Sequence, residues 1–367
     1  MKNRTQEMGF DRREFLKIAG LGIGSLALSP WRGVLEETFP DSERLGRVCT
    51  GVLRGKVQVR KEPDFHSPSL GVLYEDEVVP WMKEVVGPWN SRPGRNNQRW
   101  IETPEGYIWS AYVQPVANEQ NQPVDRLPVM GDAQGMWVEV TVPYVEAVLA
   151  NPPANHFWAQ NRIENQVPIR FYYKQIFWVD DLKEDDSGSV WYRINEEYGY
   201  DNFWSPAKAF RPIREEEIAP IHPEVEDKEI VVNIHPKKQY LSCFEGDREV
   251  YFCRISSGQA ENSTPLSPYG WPIWRKAISY HMGGNTARGG WDTPGIGWTC
   301  LFHGEGAAIH STFWHNNFGE RMSHGCVNVS PEDAKWIFRW SNPSVPFETG
   351  EKTISGAGST KVKVIDR

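Results

Sequence analysis

Cys326 stands in the hexapeptide Ser323-His324-Gly325-Cys326-Val327-Asn328, directly preceded by a histidine and a glycine. A second histidine, His310, lies sixteen residues upstream, after the apolar run Ala307-Ala308-Ile309. A cysteine attacks as the thiolate, and an imidazole within reach can take its proton. Glycine before the sulfur permits a tight turn and leaves backbone N–H groups free to hold an oxyanion. These residue types in this order point to a Cys/His acyl-transfer centre. A thiol with that role is expected to be alkylated well below the reference pKa of about 8.5.

Other chemistries fit less well. His303, His310, His315 and His324 crowd near Cys300 and Cys326, but their spacings match no paired CxxC or HxxxH ligand set and no HExxH helix occurs. No metal and no cofactor is therefore expected. The five cysteines, Cys49, Cys243, Cys253, Cys300 and Cys326, leave at least one thiol unpaired within a chain. Cys243 and Cys253 flank the turn Phe244-Glu245-Gly246-Asp247-Arg248, so either a hairpin disulfide or two buried apolar thiols would suit them. Cys326 is the expected free thiol.

The elements that must position this pair are short strands and one helix. Ser330 can cap, Pro331 suits a first helical position, and Asp333 favours the positive end of the dipole. Ala334, Ile337 and Phe338 then share a face, which places a helix against a sheet just beyond Cys326. Seventeen Trp and thirteen Tyr, with 32 Gly and 27 Pro, favour a mainly β chain rich in turns. A formal net charge of −8 gives no basic footprint for nucleic acid.

At the N-terminus, Asp11-Arg12-Arg13-Glu14-Phe15-Leu16-Lys17 precedes a short Gly-rich apolar stretch. Residues 1–30 resemble a twin-arginine (Tat) export signal, which implies a cell-envelope location in the periplasm or cell wall. Pro30 would hinder cleavage after Ala27-Leu28-Ser29, and an uncleaved signal would tether the protein to the membrane. Residues 45–117 resemble a bacterial SH3-like barrel, with Val59-Arg60-Lys61-Glu62-Pro63 early and Gly106-Tyr107-Ile108-Trp109 late. Trp191-Tyr192-Arg193-Ile194 and Trp204 to Ile213 echo its end, so residues 127–220 read as a second SH3-like or all-β domain. Polar and Pro-punctuated stretches at 117–123 and 214–227 read as linkers.

Ile309-His310-Ser311-Thr312, a loop of a dozen residues and the Cys326 hexapeptide together resemble the active-site signature of the L,D-transpeptidase (YkuD-type) family, over residues 228–366. Ser263-Thr264-Pro265 to Lys276 resembles, in altered form, that family's Thr-Pro-x-Gly connection. The resemblance implies Cys326 as nucleophile and His310 as proton carrier, with the Ser311 carbonyl fixing the histidine tautomer. Gly325 and Cys326 would supply oxyanion N–H groups, and His324 a secondary polar group. Trp314, Asn328 and Ser323 would contact substrate, Asn328 standing where many relatives carry arginine; Tyr269, Tyr280 and His281 are further candidates for the cleft wall.

The implied function is an exported peptidoglycan L,D-transpeptidase taking stem peptides, with the barrels binding glycan or stem peptide or serving as spacers. Water as acceptor would make the protein an L,D-carboxypeptidase, and a decayed third domain would leave a non-catalytic wall-binding protein. In Cys–His hydrolases of the NlpC/P60 type the cysteine precedes its histidine, whereas no histidine follows Cys326.

Overall fold

The computed structural model describes residues 38–51, 53–89, 96–196, 200–284 and 291–367. The expected export signal lies outside them. Among the described residues no helix is long and apolar enough to cross a membrane. The architecture is mainly β, with two α-helices, Phe157–Glu164 and Pro331–Trp340, among the described residues.

The first strand-rich unit holds a three-stranded sheet, in which Leu45–Val48 pairs with Val78–Pro80 and Val113–Val116, and a five-stranded sheet running from Ser69–Tyr74 to Lys83–Val86. Alternation in Lys56–Arg60 turns Val57 and Val59 inward, where Val59 joins Trp81, Ile101, Ile108 and Val113 in one small core. The next unit is a seven-stranded antiparallel sheet between Met136 and Pro212. It is not all-β. Helix Phe157–Glu164 connects Tyr144–Leu149 to Ile169–Tyr172, and its weak apolar periodicity explains why the sequence reading missed it. Phe171, Phe177, Phe203 and Phe210 fill its core.

The third unit packs two five-stranded sheets with a helix. In the first sheet, strand Lys361–Ile365 lies between Lys228–His235, to which it is parallel, and Ser267–Pro272. The end of the chain is thereby central to this unit. In the second, Ala308–Ser311 pairs in parallel with Val327–Val329 and antiparallel with Trp291–Leu301. Parallel strands need a crossover, and residues 312–326 supply it.

Helix Pro331–Trp340 starts where its sequence predicts, with the Asp333 N–H donating to Ser330 Oγ at 3.1 Å. Ala334, Ile337, Phe338 and Trp340 are buried, and the rings of Phe338 and Trp298 meet at 5.4 Å. Its C-terminal carbonyls face buried Lys276, whose Nζ donates to the carbonyls of Phe338, Ser341 (2.6 Å) and Pro343 (2.8 Å). Ammonium donors suit that end of a helix dipole.

The units are fastened together around the crossover. Ile176 of the middle unit inserts into the core of the third, and its carbonyl accepts from Ser279 Oγ at 2.6 Å. Gly297 leaves room for this approach, since a Cβ there would lie 2.8 Å from Ile176 Cδ1. Arg47 of the first unit, 1 % exposed, bridges Asp76, Gln114 and the Phe313 carbonyl. Phe313 stacks on Tyr172, and the Asn316 N–H donates to the Ala111 carbonyl. All three units thus hold the loop between His310 and Cys326. The stretch expected as a linker at 214–227 is also tied down, through Glu217 to Arg211 and Lys335.

Candidate active site

Strand register brings the two sequence-distant groups together. Ile309 is paired with Val327 and His310 with Asn328, and Ile309, Val327 and Val329 point into the core. Alternation then turns Ala308, His310, Cys326 and Asn328 to the opposite face. Cys326 lies one residue before its strand, its Sγ 3.8 Å from the Gly306 carbonyl and accepting from the Ala308 N–H.

The turn before Cys326 is built for glycine. Gly325 has φ +116°, a region side chains avoid. Its N–H donates to Ser323 Oγ at 3.2 Å, while that hydroxyl donates to the Cys326 carbonyl. A second strap crosses the turn from behind: Thr264 Oγ1 accepts from the Gly258 N–H at 2.9 Å and approaches the Cys326 carbonyl at 3.4 Å. Gly258 admits this packing because a Cβ there would lie 2.0 Å from the Asn262 carbonyl oxygen. Thr264 is thus the working residue of the segment expected to serve as a Thr-Pro connection.

His310 is 2 % exposed, and its Nδ1 meets the Ser311 carbonyl oxygen at 2.8 Å. A carbonyl only accepts, so Nδ1 carries the proton and Nε2 keeps its lone pair. Burial pushes the His310 pKa down to about 4, with the Ser311 bond opposing weakly. Burial also pushes the Cys326 thiol up to about 11, against the opposing Ala308 N–H. Burial thus works against the acidic thiol expected of that role. The resting pair is a neutral thiol and a neutral imidazole.

The other expected site residues fall into two groups. His324 and Gly325 line the cleft with Cys326, and the exposed His324 ring stacks on Trp291 at 4.4 Å, away from an orienting position. Tyr280 and His281 line it too, whereas Tyr269 is fully outside. The cleft encloses about 1170 Å³. Asn328, Ser323 and Trp314, expected at the substrate, stand behind the pair instead. Asn328 is 0 % exposed, with its amide 2.9 Å from His315 Nε2. The structure sets the amide Nδ2 there and leaves Oδ1 unpartnered; because His315 Nδ1 accepts from the Asn317 N–H, Nε2 bears a proton, and the amide in its flipped orientation satisfies both atoms. Trp314 lies against the His310 ring at 5.9 Å and lines a separate cavity with Arg47 and Arg170.

All five cysteines are free thiols, so the expected alternative of a Cys243–Cys253 disulfide gives way to two buried apolar groups. Cys243 faces Tyr251, and Cys253 faces Leu241, two pairs further along. Cys326 alone among the five is not fully buried.

One grouping of residues was not legible in the sequence, although His281 itself was expected at the cleft wall. His156 and His281, which line the Cys326 cleft, converge with Glu196, their potential ligand atoms lying within 4.8 Å of one another. Separations of 40 and 85 residues left no spacing signal to read.

Residues 227–364 match the family model of the YkuD L,D-transpeptidase catalytic domain, and the chain carries such a domain. Among solved structures, it is similar to Enterococcus faecium L,D-transpeptidase at 21 % identity, over 39 % of this chain and 52 % of that one, with a TM-score of 0.30. The chain therefore spans about half the length of that protein. It is similar to an L,D-transpeptidase from Mycobacterium smegmatis at 14 % identity, covering 67 % of this chain and 98 % of the other (TM-score 0.30). An L,D-transpeptidase from Mycobacterium tuberculosis H37Rv is 15 % identical, over 68 % and 100 % of the two chains (TM-score 0.29). No curated protein matches this chain.

Proposed function

We propose that the protein is an exported peptidoglycan L,D-transpeptidase in which Cys326 is the nucleophile and His310 the proton carrier. The observation that carries this reading is the Nδ1-protonated, buried His310 on the same sheet face as Cys326, which itself lines an open cleft. His310 Nε2 takes the thiol proton as sulfur attacks the carbonyl at the L-centre of a tetrapeptide stem. The C–N bond to the terminal D-residue breaks, and that amine leaves with the proton. The thioester is then attacked by an amine of a second stem, which passes a proton through His310 to the departing sulfur.

Because both partners start neutral, proton removal accompanies attack; no thiolate is stored beforehand. The Cys326 N–H, with donors freed from the turn, would hold the developing oxyanion, Ser323 releasing the Gly325 N–H when it does so. The cleft of about 1170 Å³ exceeds the roughly 300–1,000 Å³ of a typical small-ligand pocket. That room accommodates a donor stem and an amine acceptor together. The SH3-like first unit and the middle unit would act chiefly by holding the loop 312–326 in shape.

Incubating the full chain and its Cys326→Ala and His310→Ala variants with disaccharide-tetrapeptides, and identifying products by mass spectrometry, tests the proposal. Cross-linked dimers made by the wild type and by neither variant support it. Turnover retained in a variant overturns the assignment.

A further inference from the structure

We infer that His156, Glu196 and His281 form a divalent-cation site, with zinc the fitting ion, that pins the middle unit to the catalytic domain beside the Cys326 cleft. His156 and Glu196 come from the middle unit, and His281 from strand Arg275–Gly284 of the catalytic domain. Their candidate ligand atoms lie within 4.8 Å of one another. A tetrahedral site with bonds of about 2.0 Å has ligand separations of roughly 3.3 Å, so side-chain rotation by an ångström or so closes the set.

The independent observation is His156 Nε2. The residue is 6 % exposed, yet this nitrogen has no hydrogen-bond partner. Leaving a buried polar nitrogen unpaired is costly, and the chain has built a rigid mount for it. The His156 N–H, the Asn155 N–H and the Asn155 amide all donate to the fully buried Asp201 carboxylate, at 2.9–3.0 Å. The His156 ring is stacked on His281 at 4.5 Å and 20°. The bonds to Asp201 satisfy the free N–H groups at the start of helix Phe157–Glu164 and fix the backbone that carries the imidazole.

The surrounding groups fit the same role. His281 Nδ1 meets Glu196 Oε2 at 2.6 Å, and its Nε2 meets Asp292, which also accepts from the Trp158 N–H. When the ion binds, it displaces the proton between His281 Nδ1 and Glu196, and both groups turn to it. Asp292 then holds the opposite ring nitrogen, the carboxylate–histidine arrangement that orients metal-bound imidazoles. Two imidazoles and one carboxylate leave a fourth position, on the side of the cavity that His156, His281 and Asp292 line with Cys326. The site does not depend on the thiol chemistry proposed above.

The test loads chelator-treated full chain with zinc, removes excess by gel filtration and counts metal per chain. One equivalent is expected in the wild type and in Cys326→Ser. Glu196→Gln and His156→Ala should lose stoichiometric zinc, and Asp292→Asn should bind about 10- to 100-fold more weakly. X-ray absorption of zinc-loaded wild type, which needs no variant to fold, should show two imidazoles and oxygen without sulfur. No stoichiometric zinc in the wild type, zinc retained in Glu196→Gln, or sulfur among the ligands would each overturn the inference.

Discussion

His310 Nδ1 lies 2.8 Å from the carbonyl oxygen of its own neighbour, Ser311, inside a site where the ring is almost fully enclosed. The bond settles which nitrogen carries the proton and aims the other, with its lone pair, as a base. Because the acceptor is main chain, no side-chain substitution removes it. A His310→Gln variant keeps an amide donor for Ser311 and loses the base. It is predicted to lower kcat/KM on a tetrapeptide stem by about 10³-fold, read in steady-state assays, with Tm at neutral pH little changed.

The thiol gives a second prediction. With its pKa pushed up to about 11 by burial, Cys326 is almost wholly protonated at neutral pH. Its alkylation by iodoacetamide should therefore climb about tenfold per pH unit from pH 6 to pH 9 with no plateau. A plateau near or below the ordinary thiol range would show an acidic thiolate and contradict the neutral pair.

Burial of His310 and His315 also links stability to pH. Their pKa values fall to about 4 and about 3, burial being the larger cause for each. Between pH 6.5 and these values the unfolded chain binds protons that the folded chain refuses. Stability is full above pH 6.5 and is lost as pH falls toward 4. For His310 alone the shift corresponds to about 3 kcal/mol. Urea unfolding of His315→Gln against wild type should give a shallower loss of stability over that window, even though both chains share the same titrating carboxylates.

Gly325 and Lys276 test the supports. Gly325→Ala forces a side chain to φ +116°, at a cost of about 1–3 kcal/mol, and should displace Cys326 enough to reduce acylation more than stability. Lys276→Met strips the donor from three buried carbonyls. Chemical denaturation should show a loss of about 3 kcal/mol or more, with the thiol chemistry intact at low temperature.

What the sequence made legible was local. The Gly-Cys turn, His310, the Ser311 carbonyl and the Ser330 cap each lie within a few residues of a recognisable pattern, and their hydrogen bonds are local ones. What it hid depends on distant packing. The upward push on the Cys326 thiol comes from burial, which a sequence motif does not show. Asn328 was expected at the substrate from the family resemblance, but it is fully buried against His315, a neighbour that the sequence does not mark. The clamp from Arg47 to Phe313 spans 266 residues, and the His156–Glu196–His281 group joins two units. Neither leaves a mark on sequence spacing.

The most direct measurement is intact-mass and peptide-mapping analysis of the full chain quenched during reaction with a tetrapeptide stem. The account predicts an adduct equal to the stem minus its terminal D-residue, on Cys326 alone, accumulating when no amine acceptor is supplied. Turnover without any adduct on Cys326, or an adduct on another cysteine, would contradict it.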